Sequence, residues 1–202
     1  MKPLAIVTGV GPGTGSSLVR KLAAEGYRVA MIARDADRLA GLAQEIEDAV
    51  AVPTDVSDAS AFVAVLEDLV ARFGAPKVVV HNAVGGAFGT FLDVEPAVLE
   101  QNFQTNVMAL FHMARTLTPK MIEAGGGSLI VTGNTSALRG RANFAGFAPT
   151  KAAQRILAEA IAREVGPKGV HVAYLVIDAV IDVPWARERF KDAPDDFFIA
   201  PD

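Results

Sequence analysis

One short segment decides the fold of this chain: Thr8-Gly9-Val10-Gly11-Pro12-Gly13-Thr14-Gly15. An apolar, β-branched run at 4–7 precedes it and predicts a buried parallel strand, and apolar residues at helical spacing follow at 16–24. In this context, free backbone N–H groups at the start of the helix face an anion, and the helix dipole adds to the attraction. A Cβ in the loop would keep the backbone away from a pyrophosphate, which explains the glycines. The segment therefore predicts dinucleotide binding, with a plain turn as the alternative.

Composition limits the class of protein. The chain has 202 residues, of which 51% are hydrophobic, and a formal net charge of -4, so it has the size of one domain and enough apolar surface for a large core. It has no cysteine, which excludes disulfides and thiolate chemistry. The lack of a basic run argues against nucleic acid as a partner. We expect no membrane span and no secretory leader, and hence a soluble cytoplasmic protein.

Short apolar runs alternate with amphipathic segments along the whole chain. The apolar runs predict strands at 4–7, 28–33, 49–52, 77–81, 128–132 and 170–177. The amphipathic segments predict helices at 16–24, 35–48, 59–73, 95–123 and 144–165. Ser57 or Asp58 is expected to cap the third helix, and Pro119 to bend or break the fourth. This order predicts an α/β fold, a single domain over 1–202 with a Rossmann-type doubly wound parallel sheet in three α/β/α layers.

Several motifs resemble those of the short-chain dehydrogenase/reductase family over essentially the whole chain. The loop at 8–15 matches the family's TGxxxGxG pattern, Asp55-Val56 matches the segment that meets the adenine ring, and Asn82-Ala83-Val84-Gly85 is similar to the NNAG element. His81 and Val84 are departures from that element. The resemblance implies these cofactor-binding residues: Gly9, Gly13, Thr14, Gly15, Arg34, Asp55, Val56, Asn82, Ala83 and Lys151.

The resemblance also implies residues that support the chemistry. Lys151 stands at the lysine of the family's Tyr-x-x-x-Lys motif, whose ammonium binds the ribose hydroxyls beside the nicotinamide. The alternative for Lys151 is a solvated helix lysine. Asn106 matches a helix asparagine that helps to hold this lysine through water, and a structural hydrogen bond is the alternative.

Two positions depart from the family's catalytic pattern. Phe147 stands at the tyrosine that acts as the general acid, and Asn134 stands at the serine that orients the substrate carbonyl. A phenyl ring has no proton to give, whereas the asparagine amide still donates to a carbonyl oxygen. Thr135 or Ser136 would substitute for Asn134 if the loop were shifted. The implied catalytic residues are Lys151, Asn134 and Asn106.

Another departure follows the sixth predicted strand. The family has Pro-Gly and then a threonine near the nicotinamide carboxamide, whereas this chain has Ile177-Asp178 and then Asp182. These carboxylates could bond to the carboxamide, act as a replacement acid with a raised pKa, or face solvent, and we favour the last.

Arg34 directly follows the second predicted strand, where the resemblance places the adenosine ribose. NAD-selective members have an acidic residue at the position of Ala33, which binds the ribose 2′-OH. The Arg34 guanidinium suits a 2′-phosphate instead, so we expect NADP(H) rather than NAD(H). The alternative is a surface arginine paired with Asp35 or Asp37.

The remaining candidates for chemistry carry less information. His81, His112 and His171 have no metal-ligand spacing, so we expect no metal. Tyr27 precedes the second strand and Tyr174 lies within the sixth, where we expect it to be buried. Neither is placed to replace the missing tyrosine.

The sequence favours an NADP(H)-dependent oxidoreductase acting on a small carbonyl or alcohol. One alternative is a catalytically weak or inactive NADP(H)-binding module, and another is a structural subunit that associates through the helices carrying Leu110 and Ile156. The resemblance implies a homodimer or homotetramer. It also implies a further helix and a seventh strand beyond Asp202, so either the protein is shortened or the sequence omits a tail. Without that strand, the sixth is expected to form an exposed edge.

Overall fold

Six parallel strands form the central sheet. A computed structural model describes residues 2–202. The strands are β1 (Leu4–Thr8), β2 (Arg28–Ala33), β3 (Ala49–Pro53), β4 (Val78–His81), β5 (Gly127–Asn134) and β6 (Val170–Ile177). They pair in parallel in the order β3-β2-β1-β4-β5-β6, which confirms the predicted doubly wound sheet. The order reverses between β1 and β4, so a crevice opens at the carboxyl ends of these two strands.

Helices cover both faces of the sheet. They are α1 (Thr14–Ala24), α2 (Ala36–Glu45), α3 (Ala59–Phe73), α4 (Pro96–Phe103), α5 (Ala109–Glu123), α6 (Ala148–Val165) and α7 (Pro184–Arg189). On one face, Val19 of α1 and Leu39 of α2 pack against β1 and β2. On the other, Phe62 of α3 and Met113 of α5 belong to a larger core that includes α6. The three predicted layers are therefore present.

Local chemistry sets where two of the helices begin. Asp58 caps α3, because its carboxylate accepts the backbone N–H of Ala61 at 3.0 Å. The structure thus selects Asp58 over Ser57. Helix α6 begins at Ala148 and not at 144 as predicted, since Pro149 has no N–H to bond to an earlier carbonyl and is tolerated only in the first turn.

The long helix is not broken at Pro119, one of the two outcomes predicted for this residue. Pro119 lies inside α5, on the exposed side with Arg115, where water can pair with the carbonyl oxygen that proline leaves without a donor. The irregularity lies earlier, in a π-helical segment at Gln104–Met108 between α4 and α5. Its one buried residue is Asn106, one of the predicted site residues. Such segments are frequent at functional sites.

Strand β6 forms one edge of the sheet, and Leu175 and Val176 on it are exposed. After β6 the chain forms a small parallel pair, β7 (Val180–Ile181) and β8 (Phe198–Ile199), which was not predicted. Helix α7 packs on this pair around buried Val183 and Phe198. No helix within residues 2–202 is both long and apolar enough to span a bilayer.

Candidate functional site

Three consecutive backbone N–H groups are unpaired at the point where β1 joins α1. The N–H groups of Gly13, Thr14 and Gly15 have no hydrogen-bond partner among the described residues, and no side chain caps the start of α1. Ser16 and Ser17 turn their N–H groups inward to loop carbonyls. Three unpaired donors at the positive end of a helix dipole form a site for an anion.

The glycines of the loop are required by close packing. Gly9 has φ +69°, and a Cβ on it would lie 2.5 Å from the Ala83 backbone. A Cβ on Gly15 would lie 2.4 Å from the Gly9 carbonyl oxygen. By contrast, a Cβ on Gly11 would meet nothing within 4 Å. Gly9 and Gly15 therefore let the loop pack onto the end of β4, which holds the free N–H groups in place.

A second set of bonds ties the loop to the neighbouring strands. Thr8 Oγ1 accepts the backbone N–H groups of Asn82 and Ala83, each at 3.2 Å. The Asn82 amide donates to the Gly9 carbonyl oxygen at 2.8 Å and accepts the Thr132 hydroxyl at 2.9 Å. Asn82 therefore links the carboxyl ends of β1, β4 and β5 by hydrogen bonds at the base of the crevice.

The chain after β6 lies over part of this loop. A Cβ on Gly13 would lie 2.7 Å from Val183 Cγ1 and 3.4 Å from Ile181 Cγ2. Gly13 is accordingly buried, whereas Thr14 is partly exposed. The loop residues fit a diphosphate, and Val183 is the side chain that such a group would meet or displace at Gly13.

At the adenosine end of the predicted site, Arg34 is exposed and makes no ion pair or hydrogen bond with any described residue. Asp35, its proposed surface partner, instead caps α2 and pairs with Arg38 at 3.1 Å. Asp55 accepts both the N–H and the hydroxyl of Ser57. Desolvation opposes ionisation of Asp55, but these two bonds and the positive charge of Arg34 together lower its pKa. The following residue, Val56, is buried.

Lys151 is the buried charged group of the site. Its side chain is 2% exposed, and Nζ donates to the Thr132 carbonyl oxygen at 3.1 Å and to Gln154 Oε1 at 2.5 Å. Burial lowers the pKa of Lys151 to about 8. Its position excludes the alternative of a solvated helix lysine.

Asn106 is bound on all sides by protein. Its side chain accepts the Gly85 N–H at 2.9 Å, and its amide donates to the Gly85 carbonyl and to Thr150 Oγ1, both at 2.8 Å. These bonds fix the loop after β4 against α6. These contacts favour the alternative considered for Asn106, in which its side chain makes structural hydrogen bonds. Its backbone carbonyl oxygen accepts a hydrogen bond from Gln154 Nε2 at 2.7 Å.

Phe147 lies in an aromatic cluster where the resemblance places a tyrosine. It is 8% exposed, and its ring centroid is 5.4 Å from that of Phe88, which in turn lies 5.2 Å from Phe144. A Cβ on Gly86 would touch the Phe147 ring at 3.5 Å. The cluster excludes water from this position and offers no proton.

Asn134 ends β5 and opens a tight turn. Its Oδ1 accepts the Ser136 N–H at 3.1 Å, and its Nδ2 has no partner among residues 2–202. Thr135 donates its hydroxyl to Asp178 at 2.9 Å, so Thr135 is not free to replace Asn134. The Asn134 amide and the Ser136 hydroxyl have no hydrogen-bond partner among residues 2–202, so both remain available to a carbonyl oxygen.

Three other titratable groups lie near the site. Asp182 accepts two bonds from Arg187, at 2.8 and 2.7 Å, which lower the pKa of Asp182 and exclude its proposed role as a neutral acid. Tyr174 is half-buried, not fully buried as predicted, and donates to the Lys151 carbonyl oxygen at 3.4 Å. Burial raises the pKa of Tyr174 to about 12. Burial, and then the charge of Lys151, lower the pKa of His81 to about 3, and its Nε2 has no partner within residues 2–202.

The family model for short chain dehydrogenases matches residues 3–193 of this chain. The chain belongs to the short-chain dehydrogenase family. L-2,3-butanediol dehydrogenase from Corynebacterium glutamicum is 30% identical over 176 residues, which are 84% of this chain and 68% of that protein. L-xylulose reductase from Bos taurus is 29% identical over 189 residues, which are 93% of this chain and 75% of that protein.

Solved structures agree with this assignment. L-sorbose reductase from Gluconobacter frateurii, complexed with NADPH and L-sorbose, superposes with a TM-score of 0.87 at 27% identity, over 97% of this chain and 78% of that chain. A metagenomic short-chain oxidoreductase in complex with NADP has a TM-score of 0.85 at 26% identity, over 98% and 94% of the two chains. The short-chain dehydrogenase family consists of oxidoreductases that bind NAD(P).

Within this family fold, the structure groups the predicted residues into two clusters. The loop residues Gly9 and Gly15 meet Asn82 and Ala83 at the β1–β4 crevice, whereas Gly13 in the same loop lies against Val183. Lys151 and Asn106 meet through Gln154 on the α6 side. Thr132 joins the clusters, since its hydroxyl bonds to Asn82 and its carbonyl to Lys151.

Sequence reasoning missed Gln154 and Thr132. The available signal for Gln154 was an amide one helical turn after Lys151, in a helix that otherwise buries small and apolar residues at that level. Thr132 gave no separate signal, because its contribution to Lys151 comes from the backbone carbonyl.

Proposed function

We propose that this short-chain dehydrogenase is an NADP(H)-dependent oxidoreductase of a small carbonyl or alcohol. The observation that carries the proposal is the set of unpaired N–H groups at Gly13, Thr14 and Gly15, at the point where the strand order of the sheet reverses. The relatives support it, since they are named as dehydrogenases and reductases and two of the solved neighbours hold NADP or NADPH.

Each part of the site has a distinct task in this proposal. The loop N–H groups bind the diphosphate, and Lys151 donates the N–H that it does not use within the protein to the ribose hydroxyls. The Asn134 amide donates to the substrate oxygen and stabilises the negative charge that develops there. When bound, the nicotinamide supplies or accepts the hydride.

The proton has to come from outside the aromatic cluster. Phe147 has no ionisable group, and the hydroxyls of Tyr174 and Thr135 are already engaged with protein oxygens. We propose that water beside Asn134 gives or takes the proton. Positioned acid catalysis contributes about 10²–10⁴-fold, so turnover should be slow and not absent.

The preference for NADP(H) rests on Arg34. Its guanidinium is exposed and unpaired among residues 2–202, so it can bind a 2′-phosphate without first giving up an ion pair. Ala33 beside it offers no carboxylate for the 2′-OH of NAD. The cytoplasmic location, the homo-oligomeric state and the absence of a metal stay predictions.

The second candidate function is a dinucleotide-binding module without turnover, which the buried phenyl ring of Phe147 favours. Purified protein incubated with NADPH and a panel of aldehydes, ketones and quinones separates the two. Oxidation of NADPH above the rate of the protein-free control supports the enzyme. NADPH binding without oxidation by any member of the panel contradicts it and supports the module.

A further inference from the structure

Gln154 joins Lys151 to the π-helical segment. Its side chain is fully buried, its Oε1 lies 2.5 Å from Lys151 Nζ, and its Nε2 lies 2.7 Å from the Asn106 carbonyl oxygen. A carbonyl oxygen accepts and does not donate, so the amide has only one orientation that satisfies both ends. Its oxygen must face the lysine.

This contact decides how the buried ammonium is satisfied. A protonated Lys151 has three N–H donors, of which the Thr132 carbonyl takes one and Gln154 a second. No carboxylate pairs with Nζ among residues 2–202. His81 on β4 lies close enough for the Lys151 charge to lower its pKa, and the Tyr174 hydroxyl on β6 bonds to the Lys151 backbone carbonyl; both groups are neutral at pH 8. Neutral oxygens alone therefore support the charge.

The amide also fills the path between Lys151 and Asn106. A glutamine amide does not exchange a proton with its neighbours near neutral pH, in contrast to a water molecule or a carboxylate. Gln154 consequently relays no proton between Lys151 and the Asn106 carbonyl. The remaining N–H of Lys151 is left for a partner outside the protein.

We propose that Gln154 is a positioning residue that holds Lys151 charged and with one N–H free, so that Lys151 binds the cofactor ribose and does not relay protons. The proposal rests on the proposed function, since it assigns Lys151 to the cofactor. A leucine would remove the acceptor from Lys151 and the donor from Asn106. A glutamate would keep an acceptor and add a negative charge.

The test follows Lys151 directly in the full-length protein. ¹³C-labelled lysine is titrated by NMR in wild type, Gln154→Leu, Gln154→Glu and Gln44→Leu, and Lys151→Met identifies the signal. Gln44 is an exposed glutamine on α2 and provides the matched control. We expect a midpoint near the value of about 8 in wild type and control, a lower midpoint in Gln154→Leu and a higher one in Gln154→Glu.

The same proteins are titrated with NADPH by fluorescence. We expect Gln154→Leu to bind about tenfold more weakly at pH 7, in line with the loss of a hydrogen bond to a charged group. A Lys151 midpoint that is the same in all folded Gln154 variants overturns the proposal. If Gln154→Leu does not fold, a Lys151 midpoint in Gln154→Glu that equals the wild-type value is sufficient to overturn the proposal. Failure of wild type to bind NADPH rejects the proposed function, while the lysine midpoints still test the positioning.

Discussion

The two ends of the crevice are built on different principles. At the β1–α1 end, backbone N–H groups and glycines that admit no Cβ form the candidate phosphate site. At the β5–α6 end, we propose that side chains carry the chemistry, and there the sequence resemblance aligns Phe147 and Asn134 with the family's tyrosine and serine. A backbone site depends on the fold, whereas a side-chain site changes with one substitution. Cofactor binding and proton transfer can therefore be separated in one protein.

Restoring the missing pair is expected to have the largest effect. The double variant Phe147→Tyr with Asn134→Ser restores the phenol and the hydroxyl of the family's pattern, and should raise the rate of NADPH oxidation by about 10²–10⁴-fold. Steady-state kinetics with the best aldehyde or ketone measure this gain, and Phe144→Tyr in the same aromatic cluster is the control. If the double variant binds NADPH but is no faster than wild type, the missing pair does not limit the chemistry.

The backbone end is tested by adding a single methyl group. Gly9→Ala should cost about 3 kcal/mol of unfolding free energy, because its φ is positive and its Cβ would lie 2.5 Å from the Ala83 backbone. Gly11→Ala, with open space around its Cβ, should change stability by less than about 1 kcal/mol. Urea denaturation compares the two. Equal stabilities would show that close packing does not define the loop.

The side-chain end has its own signature in the pH dependence of stability. Burial lowers the pKa of Lys151 from 10.5 to about 8, so the unfolded chain binds a proton more tightly than the folded one. Stability should therefore rise with pH between about 8 and about 10.5, by about 3 kcal/mol from this group. Lys151→Met should lack this rise, and the exposed Lys168→Met should retain it. Parallel pH profiles for wild type and Lys151→Met would mean that the lysine is not buried.

The smallest expected effect concerns the choice of cofactor. Arg34→Ala should weaken NADPH binding about tenfold, in line with the loss of a charge-assisted bond to phosphate, and leave NADH binding unchanged. Fluorescence titrations measure both affinities, and Arg72→Ala on α3 is the control. An equal loss for NADPH and NADH would assign Arg34 to a part of the cofactor that both share.

The sequence predicts the backbone end well and the side-chain end poorly, for physical reasons. The glycine spacing and the strand and helix around it are local features of the sequence. The segment from Gly9 to Gly15 could therefore be predicted as a loop between a strand and a helix with the pattern of a phosphate site. The contact between Gln154 and Asn106 joins residues on two different elements, and periodicity reports which face of a helix is buried but not the hydrogen-bond partner. Val183 over Gly13 is a similar case, since it depends on how the chain folds back after β6.

We propose that backbone N–H donors between β1 and α1 bind a dinucleotide even though Phe147 stands at the position of the family's proton-donating tyrosine. Isothermal titration calorimetry of the purified protein with NADPH and NADH tests it most directly, with Arg72→Ala on α3 as a folded control outside the loop. We predict single-site binding to wild type and to the control, tighter for NADPH than for NADH. No heat with either dinucleotide at high protein concentration would contradict the claim.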